Sequence, residues 1–343
     1  MEFGIFESFD QSRGGAAGEL LEARLRFAAE AERLGVGHYH VTEHHGTPLS
    51  VCPSPNLFIA ALSQRTERMR IGALVNVLPS YDPFRLAEEI ATLDQLTGGR
   101  LDFGVGSGVS PYELEIFGIE IAQAKPRYAE TLEAVTSALR TGRMRHEGRL
   151  LRSYDAELSV LPVQRPYPPL WYASSNAATA EWAGRNAVNF VGRWNRGAIT
   201  DIVRTYWDAW HSGTGERING PVARPVAGIA GSVVIASSEQ RARDLFGRAN
   251  DLFCERLTHL WHRNGDHRVD AAFSTEASLA SGAACVGTAE QVRDQVVHQI
   301  ETSGANYFEM SIFFGDMSLD EGLYSLRAFM EHVAPAARAA APG

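Results

Sequence analysis

The chain has 343 residues, 45% hydrophobic and 21% charged, enough apolar material to bury a large core in one domain. Its net charge of −9, with Lys and Arg dispersed among Glu and Asp, disfavours a nucleic-acid or anionic-membrane partner, because phosphate neutralisation needs clustered cations. Three scattered cysteines exclude a disulfide framework, no apolar run approaches the ~18 residues of a membrane span, and no basic leader precedes the first strand, so a cytoplasmic enzyme with a small-molecule substrate is expected.

Residues 2–6 read as a strand, 20–34 as an amphipathic helix stopped by Gly35, and 38–42 as a second strand. A helix over 56–65, an apolar strand over 70–78 closed by Pro79, a helix over 84–96 and a strand over 101–105 follow. A helix over 125–139 precedes a β-hairpin excursion at 145–161. Further strands over 170–173, 189–192, 227–235 and 307–314 alternate with helices opened by capping boxes: Ser237 with Gln240, Thr288 with Gln291, and Ser318 with Glu321. Residues 253–281 show no clean period and are expected to form a lid. Eight strands interleaved with helices predict an α/β fold, a (β/α)8 TIM barrel with insertions, as a single domain over 1–335 with a flexible tail over 336–343.

Glu43-His44-His45 sits at the exit of the second strand, and barrels of this kind do their chemistry at the C-terminal strand ends. An acid and two imidazoles there predict a catalytic acid/base site. His38 and His40 lie upstream on one face of the same strand, and His-x-His can hold a metal. The other histidines, such as His146, His211 and His259, fall in apparent helices and loops, so no metal is expected. Ser174-Ser175-Asn176 ends a strand and opens a helix, which suits an anion site or an ordinary cap equally. Gly104-Val105-Gly106-Ser107-Gly108 lacks the spacing of a dinucleotide fingerprint and reads as backbone clearance for a flat ligand.

Together the motifs resemble those of the bacterial luciferase-like flavin monooxygenases. The resemblance spans about residues 1–335. It rests on Glu43-His44-His45, on Ile71-Gly72-Ala73-Leu74-Val75 through Leu78-Pro79, on Leu93-Asp94-Gln95-Leu96 and on Leu101-Asp102-Phe103-Gly104-Val105-Gly106. Phe117-Gly118, Thr179-Ala180-Glu181-Trp182-Ala183 and Val286-Gly287-Thr288 extend it. It implies a luciferase-like TIM barrel that takes reduced FMN (FMNH2) from a separate flavin reductase. With O2 and a C4a-(hydro)peroxyflavin, such an enzyme oxygenates a small organic substrate.

On this resemblance His44 matches the family's essential imidazole, whose near-neutral pKa suits proton exchange. Leu74 and Val75 match a non-proline cis peptide under the flavin ring, and Ser175, Asn176 and Thr179 the phosphate-binding helix start. Two positions depart: Ser107 stands where the family commonly has a phosphate-clamping Arg, and Gly106 where some luciferases have a reactive Cys. Losing the guanidinium fork implies that Lys125 and Arg127 compensate or that FMN binds weakly. An aromatic polyketide or similar secondary metabolite is the expected substrate, and a homodimer through the helices after strands two and three the expected assembly. A long-chain aldehyde luciferase, an F420-dependent oxidoreductase and a non-catalytic flavin-binding subunit are the competing readings; the presence of both His44 and His45 disfavours the last.

Overall fold

In a computed structural model of the chain, residues 1–194, 198–214, 216–220 and 224–341 are described. The strands are β1 (Glu2–Glu7), β2 (His38–Val41), β3 (Arg70–Val77), β4 (Leu101–Gly106), β5 (Arg143–His146), β6 (Tyr154–Glu157), β7 (Leu170–Ala173), β8 (Asn189–Arg193), β9 (Ala227–Ile235), β10 (Ala284–Gly287) and β11 (Tyr307–Ser311). The α-helices of the first half are α1 (Ala17–Arg33), α2 (Pro55–Ser63), α3 (Pro83–Leu96), α4 (Pro111–Ile116), α5 (Ile121–Thr141) and α6 (Ala177–Arg185). Those of the second are α7 (Ala198–Ser212), α8 (Glu239–Arg263), α9 (Thr275–Ser281), α10 (Ala289–Ser303), α11 (Leu319–Ala328) and α12 (Ala334–Ala340).

Parallel pairing in the order β11-β1-β2-β3-β4-β7-β8-β9, with β9 returning to β11, closes an eight-stranded barrel. The long β9 has three neighbours: its first half lies between β8 and β11, and Ser232–Ile235 pair with β10 outside the ring. The expected hairpin is present as antiparallel β5 and β6.

Alternation explains why these segments make a barrel. Phe3, Ile5, Tyr39, Val41, Ile71 and Phe103 join one apolar cluster with Phe27, Ile59, Leu86 and Ile90 of the surrounding helices. Alternate strand residues, among them Gly4, His38, His40, Asp102 and Glu309, face inward, where the charged groups pack with Trp171 and Tyr307. Gly4 is required there because a Cβ would collide with the Tyr307 hydroxyl.

Three expectations change. Helix α8 runs through Arg263 and α9 covers Thr275–Ser281, so only 264–274 of the stretch 253–281 is irregular. The buried face of α8 includes the polar Asn250 and Thr258, which obscure the helical period in sequence. Its cap is Ser238, whose hydroxyl accepts the Arg241 N–H, and not Ser237; the boxes at Thr288 and Ser318 form as expected. Residues 334–340, read as a frayed end from 336, are helical, and Ala337 is buried in the main core. Among the described residues no helix is long and apolar enough to cross a membrane.

Candidate active site

Two chambers of about 230 and 280 Å³ open at the C-terminal strand ends and share Phe6, Leu74 and Ala173 as common walls. Each alone lies near the lower end of the ~300–1,000 Å³ typical of ligand pockets, so together they suit a cofactor and a substrate side by side. The Leu74-Val75 peptide, expected to be cis, is cis, and lies at the junction.

His44 and His45 line the first chamber at the exit of β2. The carboxylate of Glu113, on α4, holds both. It lies 3.2 Å from His44 Nδ1 and accepts the His45 backbone N–H at 2.8 Å. Since a carboxylate only accepts, His44 Nδ1 carries the donated hydrogen, and Nε2 is the nitrogen left to exchange a proton. The sequence hides Glu113, because Ser110-Pro111-Tyr112-Glu113 has the form of a capping box. Ser110 does cap α4, but the glutamate turns to the histidines.

Glu43, grouped with the catalytic histidines by sequence, has another task. Its buried carboxylate accepts Tyr81 Oη–H at 2.7 Å and the Val77 N–H at 3.1 Å, and meets His45 Nε2 at 2.9 Å. It fixes His45 and ties the exit of β2 to that of β3, which is a positioning task. Edge-on contact with Phe117, at 4.8 Å between ring centres, completes the seat of His45.

Ser107 also lines the first chamber, beside the Tyr172 hydroxyl. The clearance expected at Gly106 exists, but it is for protein: a Cβ there would strike the Val75 side chain. In the second chamber Ser174 and Ser175 stand with Arg193. Asn176 is the cap of α6, its Oδ1 accepting the Thr179 N–H at 3.2 Å, which leaves the Ala177 and Ala178 N–H groups without helical acceptors. Lys125 and Arg127 are not brought to this point. Lys125 is exposed on α5, and Arg127 lines a separate cleft with Tyr81, Asp82 and Tyr154. The guanidinium that shares a chamber with Ser175 is Arg193, which also donates to Ser278 Oγ at 3.3 Å.

Below the chambers lies a buried ionic cluster. His40 is flanked by Glu309 Oε1 at 2.6 Å and Asp102 Oδ2 at 3.2 Å. His38 is flanked by the same Asp102 oxygen at 2.7 Å and Glu2 Oε2 at 3.0 Å, while Arg70 Nε donates to Asp102 Oδ1 at 2.7 Å. Every ring nitrogen already has a carboxylate partner, so His-x-His here builds an ion-pair network and leaves no lone pair for a metal. Burial pushes the His40 imidazolium to lose its proton, but the Glu309 and Asp102 charges outweigh it and hold the pKa at about 9. Burial raises Asp102 in turn, yet Arg70 and His38 keep it well below the ordinary range.

His40 therefore binds its proton more tightly in the folded protein than in the unfolded chain, whose reference is 6.5. The stability it confers is complete below pH 6.5 and is lost as pH rises through about 9. Thermal unfolding followed by circular dichroism should show a falling midpoint across that window, flattened in His40→Gln. An equal slope in both proteins would place the alkaline transition elsewhere.

A family model described as luciferase-like monooxygenase matches residues 1–307. An uncharacterized protein of Sinorhizobium fredii is 34% identical over 95% of this chain and 94% of its own length. The oxygenase component of a flavin-dependent trigonelline monooxygenase from Acinetobacter baylyi is 30% identical over 50% of this chain and 48% of its own. Among solved structures, the oxygenating constituent of a Pseudomonas putida 3,6-diketocamphane monooxygenase, in complex with FMN, superposes with a TM-score of 0.78 at 22% identity. That match covers 98% of each chain.

Proposed function

Because the chain belongs to the luciferase-like monooxygenase family, we propose that it is the oxygenase component of a flavin-dependent monooxygenase supplied with reduced FMN by a separate reductase. The observation that carries this reading is His44, its Nδ1 engaged by Glu113, on the wall of a chamber floored by the Leu74-Val75 peptide. The naming of the Acinetobacter relative as an oxygenase component supports the two-protein arrangement.

The residues present fit a flavin mononucleotide. Leu74 and Phe6 offer apolar contact to a flat ring, and Ser175 with the Ala177 and Ala178 N–H groups offers donors to a phosphate at the start of α6. Arg193 supplies the positive charge that Ser107 does not. A reduced flavin bound there would supply the electrons that activate O2, one atom of which would enter the substrate while the other leaves as water. His44 exchanges a proton at Nε2 with the reacting groups, Glu113 holds the ring, and the apolar walls limit water. Phe117 in the first chamber and Phe253 and Phe273 in the second favour an aromatic substrate, consistent with secondary-metabolite tailoring. A homodimer would bury Leu57 of α2, which is 72% exposed.

Fluorescence titration tests the cofactor. FMN should bind more tightly than FAD, since one phosphate site is present and no adenine fingerprint. Ser175→Ala should weaken FMN by about 0.5–1.5 kcal/mol, one hydrogen bond's worth, and leave riboflavin unchanged. Preference for FAD, or for F420 without oxygen consumption, contradicts the proposal.

A further inference from the structure

The ionic cluster beneath the chambers does more than balance charge. From the second chamber to the opposite mouth of the barrel its hydrogen bonds form one unbroken file. Glu309 lines the chamber, and its Oε2 is buried without a partner while Oε1 meets His40 Nδ1 at 2.6 Å. His40 Nε2 lies 3.2 Å from Asp102 Oδ2, the same oxygen lies 2.7 Å from His38 Nδ1, and His38 Nε2 lies 3.0 Å from Glu2 Oε2. Glu2 ends the file in solvent, with 66% of its side chain exposed, whereas the four other members are 6% exposed or less. Carboxylate and imidazole alternate along the whole path, so each imidazolium has a proton acceptor on both sides and can lose a proton to either.

We propose that Glu309 is a second acid/base group of the active-site cavity, supplied with protons from the far mouth of the barrel through His40, Asp102, His38 and Glu2. As a ligand in the chamber draws a proton, Glu309, ionised at rest, takes the Nδ1 proton of the His40 imidazolium and passes it on. The neutral His40 ring turns over about Cβ–Cγ, presents its remaining N–H to Glu309 and its bare nitrogen to Asp102 Oδ2, and takes up across that oxygen the proton of His38 Nδ1; His38 turns in the same way and is recharged from water through Glu2. One proton enters for each that leaves, and no electron moves. This role rests on the flavin reading above, which creates the demand. In the absence of substrate, oxidation of the reduced FMN anion by O2 to FMN and hydrogen peroxide takes up one proton. A ligand seated over the chamber covers its solvent side, and the file then remains as the protein's own route.

Among the described residues, these titratable groups face the path, and the N-terminal ammonium acts on Glu2 at its end. Arg70 binds Asp102 from β3, Tyr307 Oη lies 3.4 Å from Glu309 Oε1 on β11, and Arg193 stands across the chamber on β8. Trp171 of β7 packs against both imidazoles, at 5.0 and 4.6 Å between ring centres, and holds them in line. A purely structural cluster has no need of an unpartnered oxygen at the cavity end or of an exposed carboxylate at the other.

Two readouts test the relay. In the flavin-free protein, nitrogen-15 NMR should find the His40 ring N–H protons exchanging with water faster than global unfolding permits. Glu2→Gln, which changes only the exposed end, should abolish that fast exchange without lowering the thermal midpoint. In the FMN-loaded protein, Glu309→Ala should slow oxidation of reduced FMN at least about tenfold, the low end for a positioned acid/base group, and added formate should restore it. Glu309→Gln, which leaves no space, should be slow and unresponsive to formate. Exchange limited by unfolding in the parent protein and indifferent to Glu2→Gln would overturn the relay, as would unaltered oxidation in Glu309→Ala. If FMN does not bind the parent protein, the flavin reading fails by itself, and the exchange measurement still decides whether the file conducts.

Discussion

Replacing His44 by Ala is expected to lower turnover at least about tenfold, at the modest end of the 10²–10⁴ that a positioned acid/base group supplies. Fold and flavin affinity should survive. The His44 side chain is 17% exposed at the chamber wall, and the Glu113 carboxylate it leaves keeps the His45 N–H as a partner. Glu113→Gln should be milder and different in kind. The amide oxygen can still accept from His44 Nδ1 but is a weaker, neutral acceptor, so kcat should fall less than in His44→Ala while KM holds. Unchanged turnover in His44→Ala would move the proton chemistry to another residue.

The largest stability effect is expected at Asp102. It is 1% exposed and counters Arg70, His38 and His40 at once. Asp102→Asn keeps the shape and removes a carboxylate that all three cations share. Breaking one side of a buried ion pair costs about 3–5 kcal/mol, because the partner charges stay buried without compensation. Urea unfolding at pH 7 should show a loss of this size. A change within about 0.5 kcal/mol, as for an ordinary surface substitution, would mean that water reaches the cluster. The effect should shrink above pH 9, where His40 releases its proton.

The barrel is legible in the sequence because its strands are short runs whose outward residues are apolar and whose ends carry Gly, Pro or a cap. All eight barrel strands coincide with segments read from that pattern. β10 is less visible: Ala284–Gly287 is four residues long and pairs outside the ring. Glu43-His44-His45 stands out because an acid and two imidazoles gather at a strand exit, although the positioning task of Glu43 shows only in its contacts with Val77 and Tyr81. Partners distant in sequence are another matter. Alternation places His38 and His40 on one face, but nothing local names Asp102, 62 residues from His40, or Glu309, 269 residues away. Lys125 and Arg127 illustrate the converse error. Charge proximity in sequence to Ser107 suggests compensation, while a guanidinium from another strand exit, Arg193, is the one that reaches the chamber of Ser175.

The central claim is that this cavity binds reduced flavin and governs its reaction with oxygen. Stopped-flow mixing of the reduced-FMN complex with air-saturated buffer, followed at 450 nm without any substrate, tests it most directly. The account predicts an oxidation trace distinct from that of free reduced FMN, altered by His44→Ala under conditions where that variant still binds the flavin. A trace identical to free reduced FMN at saturating protein, in both the parent protein and the variant, would contradict it.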